Sequence, residues 1–105
     1  MTKNIVSLDF EGYEVRTLGD VDNPCFVAVD VCAVLGLQNV SRALSKFDDD
    51  EKGITLVNTP GGKQSLLYVT ESGLYVLAFK SRKPAAKRFR RWVTSEVLPS
   101  VRTSG

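Results

Sequence analysis

Three short runs in the first part of the chain are rich in β-branched and aromatic side chains: Ile5 to Phe10 and Tyr13 to Leu18, where apolar and polar residues largely alternate, and the continuously apolar Cys25 to Val29. A two-residue period bounded by turn formers is the pattern of half-buried strands. Glu11-Gly12 and the stretch from Gly19 to Pro24 supply the turns, so a small antiparallel sheet is predicted. The period then lengthens. Asp30 stands where a helix N-cap belongs, ahead of Val31, Ala33, Val34 and Leu35, and Gly36 stands where a chain leaves a helix through positive φ. After Gln38-Asn39, the residues Val40, Ala43, Leu44 and Phe47 recur at helical spacing, with Ser41, Arg42, Ser45 and Lys46 on the other side. A second helix from Asn39 to Phe47 is predicted, giving two helices joined by a Gly-containing turn.

Ile54 to Thr59 and Gln64 to Val69 flank Pro60-Gly61-Gly62-Lys63, the pattern of a hairpin that projects as a wing with a cation at its tip. Thr70 is placed to cap a helix reaching about Ser81. Leu74 to Phe79 are apolar nearly all round, so this reads as the central buried helix. Pro84 suits the first position of a final helix running to about Leu98, and Pro99 suits its stop. Ala85, Phe89, Trp92, Val93 and Val97 share one face of it, while Lys87, Arg90, Arg91 and Thr94 share the other. The predicted class is α+β, with a small antiparallel sheet, a helix-turn-helix-like pair, a β-hairpin wing and two C-terminal helices, in one domain over residues 1–105.

Composition agrees with one ordinary packed core: 43% of the 105 residues are apolar and 25% charged, and a chain of this size needs no metal or disulfide staple. Cys25 and Cys32 are the two cysteines, and there is no histidine. Without CxxC spacing or a histidine partner they read as buried thiols in place of zinc ligands or a redox pair. No apolar run reaches the length of a membrane span and the amino end lacks a signal-peptide pattern, which predicts a cytoplasmic protein without a membrane partner.

Charge changes the picture more than composition does. Residues 1–79 carry six Lys/Arg against eleven Asp/Glu, a balance of −5, whereas residues 80–105 carry eight against Glu96 alone, a balance of +7. Seven of these cations, Lys80, Arg82, Lys83, Lys87, Arg88, Arg90 and Arg91, precede the final helix or lie in its first two predicted turns. Cations near a helix N-terminus oppose the macrodipole, typically at about 0.3–1 kcal/mol each at low salt. Folding alone does not favour that placement, and a bound phosphate reverses its sign. The competing reading is a solvated face that keeps the domain soluble. Arg88 flanks the apolar stripe and has a structural reading.

The helix pair is the second candidate. Docked in a major groove, Gln38, Asn39, Ser41, Arg42, Ser45 and Lys46 could reach base edges or phosphates. The alternatives stay open, since Asn39 suits a helix cap and Arg42 and Lys46 suit ordinary surface positions. Lys63 could touch phosphate from the wing or simply solubilise a turn. Trp92, Phe89 and Tyr75 lie on apolar helical faces and read as core before they read as a stacking platform for bases. Asp48-Asp49-Asp50-Glu51 lacks the alternating ligands and glycine of a calcium loop and reads as a solvated acidic loop. No histidine, GxSxG elbow, Walker phosphate loop or repeated carboxylate pattern supports catalysis. A non-catalytic protein without a cofactor is predicted. A metal-dependent nuclease using Asp49 is the weakest reading for want of a ligand set.

The chain resembles the BRO N-terminal (Bro-N) family of phage antirepressors and of BRO proteins of large DNA viruses. The resemblance is carried by Phe26-Val27-Ala28-x-Asp30-Val31 leading to Leu35-Gly36, by Asp50-Glu51-Lys52, and by Gly61-Gly62-x-Gln64. More specific blocks follow: Glu71-Ser72-Gly73-Leu74-Tyr75, Ser81-Arg82-Lys83-Pro84-Ala85-Ala86-Lys87-x-Phe89, and Arg91-Trp92-Val93-x-x-Glu96-Val97-Leu98-Pro99-Ser100 with Arg102. Thr70 departs from the Asn common in the family, and both residues can cap the helix that follows. The resemblance implies an α+β domain that binds nucleic acid, usually DNA, often followed by a variable second domain that is not expected within these residues. On this reading Arg82, Lys83, Lys87, Arg90 and Arg91 hold the phosphate backbone of double-stranded DNA, with Asn39, Ser41, Arg42, Lys46 and Lys63 as weaker candidates. The implied role is in a phage or prophage transcription regulator of antirepressor type. It would act in the cytoplasm of a bacterial host, or in a nucleus for a eukaryotic virus, with a homodimer as one arrangement. The rival reading is a protein-binding antirepressor domain that captures a repressor.

Overall fold

The computed structural model describes residues 5–19 and 24–97. Strands β1 (Val6–Phe10), β2 (Tyr13–Gly19) and β3 (Pro24–Val27) are followed by helices α1 (Ala28–Leu35) and α2 (Val40–Ala43). The hairpin β4 (Lys52–Thr59) and β5 (Gly62–Thr70) leads into α3 (Glu71–Lys80), α4 (Pro84–Trp92) and a π-helical turn over Val93–Val97. All five strands form one antiparallel sheet in the order β1-β2-β3-β5-β4. The expected α+β class holds. The expected stop at Pro99 and the turn over residues 20–23 lie outside the described residues.

Two glycine-containing turns set the register of the hairpins. Phe10 pairs with Tyr13, so Glu11-Gly12 is a two-residue loop, and both residues have positive φ, 50° and 91°. That combination matches the twist of the flanking strands. At the other hairpin Thr59 pairs with Gly62 and Asn58 with Lys63. The loop is therefore Pro60-Gly61 alone, and Lys63 belongs to β5, one pair inside the turn where the sequence placed it at the tip. The base of β5 is built into the sheet, since Tyr68, Val69 and Thr70 pair with β3. Gly62 to Leu67 pair with β4 only, and this distal ribbon is the wing.

Side chains alternate strictly across the sheet. Val15, Phe26 and Val69 enter the main core with Val31, Leu35, Leu74, Leu77, Phe89 and Val93 from the helices, while Leu18, Cys25, Val27 and Leu66 form a second cluster on the opposite face. Strand β3 contributes to both, which explains its uninterrupted Cys25-Phe26-Val27 run. Phe10, Phe89 and Trp92 pack on one another with ring centroids 5.1–5.8 Å apart. Phe89 is core, and Trp92 and Tyr75 pack partly buried against it, as expected; Phe10 joins them, and both cysteines are buried free thiols.

Two predicted boundaries and one predicted core position change, each for a tertiary reason. Helix α1 begins directly from β3, and its N-cap is Val27, with no side-chain cap. Asp30 lies in the first turn instead. Its carboxylate accepts from the backbone N–H of Arg16 at 2.9 Å and from the Arg16 guanidinium at 2.8 and 3.0 Å. This carboxylate takes up the Arg16 amide just beyond the last β2–β3 pair, Thr17 with Phe26, and holds the Arg16 guanidinium firmly protonated. Helix α2 is one turn, Val40–Ala43, not a helix to Phe47. Asn39 caps its start by accepting from the Arg42 N–H at 2.9 Å. Its end is claimed by two lysines: Lys80 Nζ donates to Ala43 O at 3.2 Å and Lys52 Nζ to Leu44 O at 3.1 Å. Burial of Leu44 and Phe47 then turns the chain inward. Helix α3 is capped by Thr70 as expected, yet Phe79 is not core and stays 76% exposed.

Candidate nucleic-acid interface

The seven cations of the basic segment separate by what they touch. Lys80 is committed to the α2 carbonyl and lies 5.2 Å from the Phe47 ring centroid. Arg88 forms a two-pronged pair with Glu11, at 2.8 and 3.0 Å, which ties α4 to the β1–β2 turn. The guanidinium's hydrogen bonds pull the Glu11 carboxyl below its ordinary pKa. Arg88 is thus structural, as its place beside the apolar stripe suggested. Arg90 is half-buried, its guanidinium 5.0 Å over the Phe79 ring and its Nε buried without a hydrogen-bond partner. It does not project freely into solvent as the sequence pattern suggested.

Arg82, Lys83, Lys87 and Arg91 remain. All four are exposed, and none has a side-chain hydrogen bond, ion pair or ring contact among the described residues. Lys83 is the N-cap residue and Pro84 occupies the first turn, as expected. The macrodipole argument holds for Lys83 and Lys87. It fails for Arg90 and Arg91, because α4 ends at Trp92 and places both in its last turn, where cations are favourable.

The two separate sequence candidates become one surface. The α3–α4 link folds against the α1–α2 turn through Ser81 Oγ, which donates to Leu35 O at 2.8 Å. The Lys83 stem crosses Gly36 so closely that a Cβ there would sit 2.5 Å from Lys83 Cε. Glycine is required here by the positive φ of 73°, whereas the flexible Lys83 stem could move aside. Arg42 and Lys46 are exposed, on and just after α2, with no side-chain partner among the described residues. Ser45 is committed, its hydroxyl donating to Arg42 O at 2.9 Å, and the Asn39 oxygen is committed to the cap. Gln38 is exposed. Ser41 lines a shallow groove of about 430 Å³ with Leu44, Lys52, Ile54 and Leu67. Lys63 stands apart on the wing, exposed opposite Asn58.

Three features escaped the sequence reading. Lys52 and Lys80 act as C-terminal clamps on α2, which no local pattern announces. Phe79 was legible in principle: at 100° per residue it falls opposite the buried Leu74, Leu77 and Ala78 stripe. In the acidic loop, carboxylate oxygens of Asp48, Asp50 and Glu51 lie within 4.8 Å of one another. Glu51 is engaged locally, accepting from the Asp48 N–H at 3.0 Å.

A five-stranded antiparallel sheet with its helices on one face and a rim of exposed cations defines a small α+β module with a charged surface. The chain belongs to the BRO family, as its N-terminal domain, whose family model matches residues 14–99. It is 34% identical over 112 residues to Bro-N domain-containing protein 289L of Invertebrate iridescent virus 6, covering 89% of this chain and 27% of that protein. It is 36% identical over 102 residues to an uncharacterized protein of Haemophilus influenzae, covering 94% of this chain and 50% of that one. The chain thus spans half or less of the length of these curated relatives. Among solved structures, the N-terminal domain of Orf22, a Cydia pomonella granulovirus envelope protein, superposes with a TM-score of 0.68 at 19% identity, covering 95% of this chain and 99% of that domain. That likeness concerns the fold. Among the described residues, no helix is long and apolar enough to cross a membrane.

Proposed function

We propose that this Bro-N domain is a non-catalytic module that binds double-stranded DNA within a phage or viral transcription regulator. The observation that carries the reading is the set Arg82, Lys83, Lys87 and Arg91, exposed and free of local counter-ions. Two carboxylates, Glu11 and Asp30, are engaged by other arginines, Arg88 and Arg16. Lys83 and Lys87 lie where an anion at the helix start relieves their unfavourable placement. Arg42 and Lys46 extend the rim, Lys63 on the wing is an outlying contact, and the single turn of α2 gives Asn39 and Ser41 little reach for base readout. Arg90 serves through its contact with Phe79. DNA would be held chiefly by its backbone.

The test is the salt dependence of duplex binding by the chain as it stands. Neutralising about four or five phosphates gives a slope of log K against log salt near −4, from about 0.9 per phosphate. The double change Lys83→Gln and Lys87→Gln should flatten that slope by about 2. A slope that does not move removes these residues from the interface.

A second reading, capture of a repressor protein, draws on Ile54 and Leu56, which are 70% and 65% exposed on the edge strand β4 beside the groove. Contiguous exposed apolar surface, where it is large enough, is a feature of protein contact sites. No retardation of either operator or random duplex at low salt, with the fold intact, favours this alternative. A homodimer would supply the two-fold spacing that palindromic sites require, and analytical ultracentrifugation tests for one.

A further inference from the structure

Phe79 is the most exposed large apolar side chain among the described residues. It sits near the end of α3, a helix that buries Leu74, Leu77 and Ala78, and it faces away from that buried stripe. Its ring is not bare on both sides, because the Arg90 guanidinium lies over it, 5.0 Å from the centroid. Arg90 is itself unusual in that its Nε is buried and makes no hydrogen bond. The guanidinium is therefore held by the ring instead of by a carboxylate, and it keeps unspent donors beside Phe79. On α4, Lys87 lies one turn before Arg90 on the same side, and Arg91 is the next residue, about 100° further round the helix, so the surface beside this ring is cationic.

The geometry points to a base-stacking seat: Phe79, backed by Arg90, receives the face of a nucleobase unstacked from its strand. The inference rests on the nucleic-acid reading above and names the element of nucleic acid that this part of the surface takes. A π-face set within free cations is the arrangement by which single strands are held, with stacking on the ring and phosphates on the surrounding charges. The other rings of this region are unavailable for the role. Phe10, Phe89 and Trp92 pack on one another, so the stacking platform absent from Trp92 is supplied by Phe79, just after the buried Leu77 and Ala78.

The test uses a single-stranded oligonucleotide carrying 2-aminopurine, the same sequence as a duplex, and the chain as it stands. The parent protein is expected to bind the single strand and to alter the fluorescence of the probe base. Phe79→Ala should weaken single-strand binding by about tenfold, within the roughly 5- to 150-fold range that one stacked base provides, and abolish the probe signal without changing the salt slope. Phe79→Trp should keep both, and Phe79→Leu should behave like alanine. Lys87→Gln supplies the opposite signature, a shallower salt slope with the probe signal retained. Parent-like behaviour of Phe79→Ala, or full function of Phe79→Leu, overturns the stacking seat while leaving backbone binding intact. Failure of the parent to bind either oligonucleotide rejects the nucleic-acid reading and the seat with it. The substitutions are at an exposed position, and circular dichroism checks that each variant is folded.

Discussion

Replacing Gly73 by alanine sets two effects of similar size against each other. Gly73 lies in the first turns of α3, where its φ is ordinary, so alanine gains about 1 kcal/mol of helix propensity. The space is not there, however. A Cβ at Gly73 would lie 2.3 Å from the backbone oxygen of Glu51, 3.1 Å from Val69 Cβ and 3.2 Å from a Phe47 ring carbon. The oxygen cannot simply withdraw, because it accepts from the Thr70 N–H at 3.0 Å, and Thr70 Oγ1 donates to Asp50 O at 3.0 Å. Overpacking of this kind costs about 1–3 kcal/mol, and loosening the Thr70 hydrogen bond costs about 1 kcal/mol more. The collision outweighs the propensity, leaving a net loss of about 1–3 kcal/mol. For a domain of this size the melting temperature should fall by roughly 5–20 °C. Thermal denaturation followed by circular dichroism reads this directly, with Ser72→Ala, at the exposed neighbouring position, as a control expected within about 0.5 kcal/mol of the parent. A Gly73→Ala protein that melts at or above the parent temperature would show that the Glu51 strand end yields freely and would refute the argument.

Other consequences follow from single contacts. Asp30→Ala removes three hydrogen bonds to Arg16 from a partly buried carboxylate and should lower stability by about 2–3 kcal/mol, seen as a lower urea midpoint at unchanged m; an unchanged midpoint argues against this link between α1 and β2. Glu11 has its pKa lowered by the Arg88 hydrogen bonds from an ordinary 4.5. The pair therefore contributes stability above that value and loses it as pH falls through the lower folded value. Carboxyl NMR titration should find the Glu11 midpoint below 4.5 and moved back up in Arg88→Ala. Burial raises the Cys32 thiol pKa, so iodoacetamide at neutral pH should leave Cys25 and Cys32 unmodified in the native protein and label both in guanidinium. Rapid native labelling would mean that this core opens.

Much of the architecture is written locally. The alternation in β1 and β2, the positive-φ turn at Glu11-Gly12, the Asn39 and Thr70 caps, the Gly36 exit and Pro84 at the start of α4 are choices between neighbouring residues, and neighbours are enough to settle them. The excess of cations after residue 80 is equally plain in the chain. Tertiary structure decided what those signals were for. Asp30 has the chemistry of an N-cap and serves Arg16 instead, because β3 runs straight into α1 and leaves the Arg16 amide beside it. Helix α2 is a single turn whose last carbonyls are taken by Lys52, eight residues on from Leu44, and by Lys80, 37 residues on from Ala43. Which cations are free depends on which of them meet a carboxylate, a carbonyl or a ring, and those partners lie up to 77 residues away, as with Glu11 and Arg88. Local sequence fixes the conformation each segment prefers, but a charge or a ring acquires its role only when distant segments pack together and supply, or withhold, its partner.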